Sequence, residues 1–236
     1  MQIVNIYPLL NTERIYTQEM SMALAHLALK YPAYTKCFRK YRGYKILDNS
    51  IVELGDSVSL EDLLNVAHAI DADEIILPDV FDNGEETVKL VKHSIRCLKE
   101  NGLLNTYKLM AVCQGKNIKE IEKCFEELNK IPEIDVIGIP KRFATKHELG
   151  RPGFEFLWVN SQSCSKDIHL LGLANCFNEL LEYKFPERIR SCDTCLMSML
   201  ALEGKHFYAR RKFSETINLE KSFVTLEEFE NVDESR

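Results

Sequence analysis

Residues 74 to 79 are Glu74-Ile75-Ile76-Leu77-Pro78-Asp79, an apolar run that ends on a carboxylate. A helix-like stretch from Glu85 to Glu100 follows it. The same order, a short apolar run and then a helix-like stretch, recurs along most of the chain. Apolar strands that alternate with helices indicate a parallel sheet covered on both faces.

Seven runs have the pattern of strands, and most are followed by a predicted helix. The strand-like runs are Ile3 to Tyr7, Tyr44 to Asp48, Glu74 to Asp79, Lys108 to Cys113, Asp135 to Ile139, Ile168 to Leu173 and Ile189 to Cys192. The predicted helices are Gln18 to Leu29, Leu60 to Ile70, Glu85 to Glu100, Ile118 to Leu128, Phe177 to Tyr183 and Leu196 to Leu202. Ser59 and Asn83 are predicted N-caps, because each precedes acidic first-turn residues.

We predict an α/β fold, a TIM-like (β/α)8 barrel that is closed or nearly closed and lacks a zinc subdomain. An open doubly wound sheet is disfavoured because no strand is followed by a Gly-rich dinucleotide loop or a Gly-x-x-x-x-Gly-Lys phosphate loop. The pattern leaves two alternatives for the eighth strand, Ala33 to Phe38 and Phe207 to Arg211. Residues 1–213 are predicted to form this barrel, and residues 214–236 an acidic tail or peripheral helix.

Net charge, apolar runs and cysteine spacing argue against several classes of protein. The chain has 236 residues and a net charge of −6, which argues against a wholly basic nucleic-acid coat but leaves room for local basic patches. No apolar run is long enough to cross a membrane and no secretory signal is visible, so we expect a soluble cytoplasmic protein. The eight cysteines are expected to be mostly reduced core residues, and Cys192-x-x-Cys195 lacks the second pair that a structural zinc site needs. We therefore expect no metal and no cofactor.

Three carboxylates end strand-like runs: Asp48, Asp79 and Asp193. In a parallel barrel the carboxyl ends of the strands share one mouth, where the chemistry of such folds is placed. The alternative for each acid taken alone is a helix N-cap.

In chain order, the strand ends resemble the tRNA-guanine transglycosylase superfamily, TIM-barrel enzymes that exchange guanine for a 7-deazaguanine. The resemblance spans roughly residues 44 to 205 and rests on six short motifs, each weak alone: Asp48-Asn49-Ser50, Asp79, Gln114-Gly115, Gly138-Ile139-Pro140, His169-Leu170-Leu171-Gly172-Leu173 and Asp193. The chain departs from the family where Asn49-Ser50-Ile51 replaces Ser-Gly-Gly and Gly138-Ile139-Pro140 replaces Gly-Gly-Leu. The walls of the base pocket are therefore expected to differ.

The resemblance implies a role for each motif. Asp193 would be the nucleophile that holds the sugar, and Asp48 the acid and base that protonates the leaving base and deprotonates the incoming one. The base would be bound by Asp79, Gln114, Gly115, Gly138 and Ser50. His169 is interpreted as a packed or rim histidine. Tyr44 and Phe81 could stack on the base or could be core rings.

Two basic stretches with interleaved aromatics could contact nucleic acid, or could be a solvated rim with buried rings. The first contains Lys36, Arg39, Lys40, Arg42 and Lys45 with Phe38, Tyr41 and Tyr44, and the second runs from His206 to Phe213. Candidates for holding phosphates are Lys141, Arg142, Arg210 and Arg211.

The expected substrate is DNA. The cysteine and histidine zinc site of the tRNA enzymes is missing, so the chain is more similar to the compact, phage-associated 7-deazaguanine DNA transglycosylases. The incoming base would be a 7-deazaguanine such as preQ0 or preQ1, and a homodimer or an accessory protein is possible. Three alternatives stay open: the same exchange on tRNA, a non-catalytic nucleic-acid-binding barrel that could pair with an active subunit, and a barrel enzyme acting on a small metabolite.

Overall fold

The structure, a computed structural model, describes residues 1–7, 9–146, 163–173 and 187–195. Within them, eight parallel strands form a closed barrel in which each strand pairs with its neighbours in the chain. The barrel closes where the first and last strands pair, with Val4 opposite Asp193. The predicted TIM-like barrel is thereby confirmed.

The strands are short, as is usual for such barrels. They are β1 (Gln2–Asn5), β2 (Met20–Leu24), β3 (Tyr44–Asp48), β4 (Glu74–Ile76), β5 (Lys108–Val112), β6 (Val136–Pro140), β7 (Asp167–Leu171) and β8 (Ile189–Thr194). Six helices are described: α1 (Ala25–Lys30), α2 (Pro32–Lys40), α3 (Ile51–Leu54), α4 (Leu60–Ile70), α5 (Gly84–Glu100) and α6 (Ile118–Asn129). Two 3-10 segments, Leu9–Thr17 and Lys141–Lys146, connect strands.

The predicted caps of two helices are confirmed. Ser59 Oγ accepts a hydrogen bond from the Asp62 amide at 3.0 Å, and Asn83 Oδ1 accepts one from the Glu86 amide at 3.1 Å. These bonds satisfy amides that the first helical turn leaves without a partner. The starts of α4 and α5 are therefore determined locally by side chains that precede the helix.

The prediction for residues 18 to 29 was wrong in part, because the first half of this stretch is the eighth strand. β2 pairs along its whole length with β3, from Met20 opposite Tyr44 to Leu24 opposite Asp48. Met, Ala and Leu favour helices, and a strand buried on both faces lacks the polar alternation that would mark it. Pairing in the barrel overrides that local preference. The alternative strand Ala33 to Phe38 is also wrong, since these residues lie in α2.

Other sequence predictions lie outside the described residues. These are the helices Phe177 to Tyr183 and Leu196 to Leu202, the alternative strand Phe207 to Arg211, and residues 214–236. In the part of the chain that the structure describes, no helix is both long enough and apolar enough to span a membrane.

Two aromatic rings of the first basic stretch are not available to stack on bases. Phe38 and Tyr41 are buried in the core, where they cannot stack on bases. Lys45 is buried as well, and its Nζ donates to the Ile70 carbonyl at 3.1 Å. Arg39 forms an exposed ion pair with Asp71 at 3.3 Å. This stretch therefore agrees with the other interpretation given above, a solvated rim of charged residues with buried rings.

Tyr44 lies at the start of β3, at the opposite end of the barrel from the strand-end acids. Its hydroxyl donates to Glu74 Oε2 at 2.8 Å, and Glu74 Oε1 is paired with Arg190 at the start of β8. Glu74 is completely buried and the Arg190 side chain is 17% exposed. Tyr44 therefore cannot stack on a base bound among the acids; it belongs to a buried ion-pair network.

The substitution Arg190→Met should lower the free energy of unfolding by roughly 3–5 kcal/mol, because it leaves the Glu74 carboxylate buried without a counter-charge. Urea denaturation checks the value. The matched control is Arg39→Ala, whose ion pair with Asp71 is exposed and should contribute less than about 1 kcal/mol. Equal losses in the two variants would contradict a structural role for the buried pair.

Candidate active site

The three predicted acids lie at the carboxyl ends of their strands. Asp48 is the last residue of β3, Asp193 is the next-to-last residue of β8, and Asp79 follows the end of β4 by three residues. They share one electrostatic environment, since the charges of Asp193 and Asp79 both raise the pKa of Asp48. The structure thus brings the three carboxylates together at one mouth of the barrel.

Asp193 is held by two donors from β7 and the residue that follows it. The Gly172 amide donates to Asp193 Oδ1 at 2.8 Å, and His169 Nε2 lies 3.0 Å from the same oxygen. Gly172 has a φ of 67°, in the left-handed region that favours glycine, and a Cβ there would lie 2.9 Å from the Lys141 side chain. A glycine at this turn therefore allows its amide to face the carboxylate.

Among the described residues, both hydrogen bonds to the Asp193 carboxylate end on Oδ1. Its second oxygen, Oδ2, accepts no hydrogen bond from the residues that the structure describes. The residue is only 6% exposed, so the carboxylate is positioned inside the mouth and not on an open surface.

Asp48 is a carboxyl group whose pKa is shifted by its surroundings. Burial raises its pKa well above the usual range, and the negative charges of Glu53, Asp193 and Asp79 raise it further. The Ser50 amide donates to Asp48 Oδ2 at 3.0 Å, which opposes this shift. A carboxyl group with a raised pKa can hold a proton near neutral pH and release it in a reaction.

Ser50 takes an unusual backbone conformation beside Asp48. Its φ is 61°, which is in the left-handed region that favours glycine. Ser50 Oγ accepts a hydrogen bond from the His26 amide at 3.1 Å, which ties this turn to the first turn of α1. Ser50 is thus placed at the mouth, as predicted, with its hydroxyl bonded to the backbone.

Asp79 is held by two side-chain amides. Asn49 Nδ2 donates to Oδ1 at 2.7 Å, and Gln114 Nε2 donates to Oδ2 at 2.6 Å. Burial raises the pKa of Asp79 to about 6, although hydrogen bonds from Gln114 and Asn49 act to lower it. Each carboxylate oxygen can accept a further bond, so two lone pairs remain for a ligand with adjacent donors.

Gln114 and Gly115 form the predicted turn after β5. Gln114 Oε1 accepts from the Asp82 amide at 3.2 Å, so the side chain bridges the loops that follow β4 and β5. A Cβ on Gly115 would lie 2.7 Å from the Ile121 amide, which means that α6 approaches this turn too closely for any side chain. Glycine is therefore required here for packing.

Gly138 lies inside β6, and its carbonyl accepts from the Cys113 amide at 2.9 Å. A Cβ on Gly138 would lie 2.8 Å from Leu171 Cδ1 and 3.2 Å from Met110 Sδ. The missing side chain leaves room for these neighbours. The predicted contact between the Gly138 amide and a base stays a prediction.

Two of the predicted phosphate-binding residues lie at the same end of the barrel. Lys141 follows β6 and is exposed, and its stem passes over Gly172. Arg142 pairs with Asp82 at 3.0 Å, and its guanidinium lies 4.2 Å from the centre of the Phe81 ring. Phe81 is therefore covered by Arg142, not packed in the core. Arg210 and Arg211 lie outside the described residues.

The sequence analysis missed three polar residues of this site. Asn49 was noted only as a departure from the family pattern, yet it donates to Asp79. Glu53 was not singled out; partial desolvation of its carboxylate and the charge of Asp193 raise its pKa. His169 was interpreted as a packed or rim histidine, and it is packed, being completely buried; its contact with Asp193 was not predicted. Its position two strand residues before the Leu171-Gly172 turn was the available signal.

Comparison with protein-family models and with curated proteins finds no match for this chain. In the described parts of the chain, no group of three or more His, Cys, Asp or Glu side chains is arranged to hold a metal ion. The site is therefore interpreted from its own geometry.

Proposed function

We propose that the protein is a base-exchange transglycosylase that replaces guanine in DNA with a 7-deazaguanine base. The observation that carries the proposal is the arrangement of two unlike carboxylates at one mouth. Asp193 has one oxygen anchored by two donors and one left to react, while the nearby Asp48 has a raised pKa. A nucleophile beside a proton donor is what cleavage of a glycosidic bond with a covalent intermediate requires.

In the first step, Asp193 Oδ2 attacks C1′ of the sugar, and the bond from C1′ to N9 of guanine breaks. Asp48 gives its proton to the departing base, which leaves as neutral guanine. In the second step, N9 of the incoming base bonds to C1′ and the electron pair of the Asp193 ester bond returns to Oδ2. The proton on the incoming N9 passes to Asp48, so the enzyme ends in its starting state.

Asp79 is the residue proposed to recognise the base through hydrogen bonds. Guanine and its 7-deaza analogues present two adjacent donors, N1–H and the exocyclic amine, which a carboxylate can accept together. Asn49 and Gln114 hold Asp79 in one orientation and leave lone pairs for this contact. Such an edge is hidden in a base pair, so the substrate guanine must leave the stack.

DNA is preferred as the polymer because a flipped base needs only a base pocket and a local phosphate clamp. Lys141 at the mouth is a candidate for that clamp, together with Arg142, and with Arg210 and Arg211 by sequence. We also propose a cytoplasmic location. There the protein would have access both to DNA and to the free bases that it exchanges.

The test is to incubate the protein with radiolabelled guanine and either single-stranded DNA, duplex DNA or tRNA at matched salt. We expect DNA to gain label, faster in single-stranded or mismatched substrate because less stacking is lost. Label in tRNA alone would mean that the protein carries out the same exchange on tRNA and not on DNA. Label in none of the three polymers would overturn base exchange.

Replacing Asp79 with alanine should weaken base binding by about 5- to 150-fold, because roughly 1–3 kcal/mol is lost when two buried donors have no acceptor. Polymer binding should change far less. Isothermal titration with guanine and a DNA-binding assay measure the two separately. Equal losses, or no loss of either, would remove Asp79 from base recognition.

The pH dependence of base binding gives Asp79 a second signature. Only the ionised carboxylate accepts both donors, and the pKa of Asp79 is raised to about 6, so affinity should be high above that pH and fall below it. Asp48→Asn serves as the control, because it removes a second carboxyl group of this site with a raised pKa and should keep this profile. Loss of the profile in Asp48→Asn would assign the titration to Asp48.

A further inference from the structure

His169 is a completely buried polar residue in contact with the candidate nucleophile. It lies in β7, its Nε2 is 3.0 Å from Asp193 Oδ1, and its Nδ1 is 2.7 Å from Ser191 Oγ. Both ring nitrogens are therefore engaged, and the imidazole is fixed at each end.

The barrel register explains why these three side chains meet. His169 is paired with Ser191 across β7 and β8, next to a register shift between Ile168 and His169. Ser191 and Asp193 are two residues apart on β8, so their side chains point to the same face of the sheet. One imidazole can span both of them.

The hydrogen-bond pattern assigns the protons. A carboxylate oxygen only accepts, so Nε2 carries a proton and donates to Asp193. In the neutral ring Nδ1 is then the acceptor, and the Ser191 hydroxyl supplies the proton for that bond. The Asp193 carboxylate thus sets the proton on Nε2, and the Ser191 hydroxyl can donate to Nδ1. The Gly172 amide supplies the second donor to Asp193 at 2.8 Å.

The order serine, histidine and aspartate also occurs in hydrolases, where serine is the nucleophile. Here Ser191 is completely buried, whereas Asp193 retains 6% exposure. Of the two, the aspartate is the one with accessible surface at the mouth, and the chain of contacts ends on its carboxylate.

We propose that His169 is a positioning residue that aims Asp193 Oδ2 at the anomeric carbon. With Gly172 it fixes the rotamer of the carboxylate and disperses its negative charge, which also makes the carboxylate a better leaving group in the second step. Ser191 anchors the other ring nitrogen of His169. This inference rests on the proposed base exchange and adds to it the device that orients the nucleophile.

The test compares His169→Leu with His169→Gln in the full chain, using single-stranded DNA and radiolabelled guanine. Leucine fills the space but donates nothing, and glutamine can place an amide N–H where Nε2 lies. The rate at which the protein–DNA adduct forms is measured and divided by the burst amplitude. The burst amplitude gives the number of active sites, so the quotient is a rate per active site. We expect about a 10- to 100-fold slower rate per active site for His169→Leu, with KM for guanine unchanged. His169→Gln should recover a measurable part of the loss.

The control is Leu170→Ala, in the same strand and completely buried, with its side chain on the other face. It should lower the melting temperature and the number of active sites without changing the rate per site. A rate within about twofold of wild type for His169→Leu, while wild type exchanges base, would overturn the positioning role alone. No exchange by wild type on any polymer would overturn the proposed function and this inference with it.

Discussion

Replacing Asp193 with asparagine should abolish base exchange, lowering the rate by at least about 10³-fold, because the amide is not a nucleophile. The shape of the side chain is kept, and its carbonyl oxygen can still accept from the Gly172 amide and from His169. Melting temperature and DNA affinity should therefore stay close to wild type. The measurements are label incorporation, thermal unfolding and DNA binding on the same preparation.

Near wild-type turnover in Asp193→Asn would remove Asp193 from the mechanism. A fall in melting temperature large enough for unfolding to account for the lost activity would leave Asp193 with a structural role only, where β1 pairs with β8.

Replacing Asp48 with asparagine should lower the exchange rate by roughly 10²- to 10⁴-fold, because the leaving base loses its proton donor. Base binding should change little, since Asp79 and Gln114 are untouched. In a single turnover without incoming base, wild-type release of guanine should slow as the pH rises through the raised pKa of Asp48. The variant should show a slow release that does not depend on pH in that range.

Glu53→Gln is the matched control for this pH profile. The charge of Glu53 contributes to the raised pKa of Asp48, so its removal should shift the profile to lower pH without abolishing activity. A profile that persists unchanged in Asp48→Asn would assign proton transfer to another group.

Most of the barrel could be predicted from the sequence because its strands are short apolar runs and its helices are amphipathic and capped. α4 begins at the predicted residue because Ser59 supplies a local signal. β2 could not be predicted in the same way. Its residues favour helix when taken alone, and only pairing with β1 and β3 makes them a strand.

The candidate site also has features that the local sequence predicts and features that depend on tertiary contacts. The positions of Asp48, Asp79 and Asp193 were predictable, because each stands at or near a strand end and strand ends share a mouth. The contacts of Asn49 and His169 depend on register and on loop conformation, which apolar periodicity does not specify. Of the two alternatives left open for Tyr44, stacking on the base is wrong, because the residue begins its strand while the acids lie at or near the carboxyl ends of theirs.

The most direct measurement of the central claim is to trap the covalent intermediate and locate it. The protein is incubated with single-stranded DNA in the absence of incoming base, denatured, digested and analysed by mass spectrometry. We predict a DNA-linked peptide whose modified residue is Asp193, accompanied by release of one guanine per adduct and lost when a 7-deazaguanine base is added. Exchange of labelled guanine without such an adduct, or an adduct on another residue, would contradict the account.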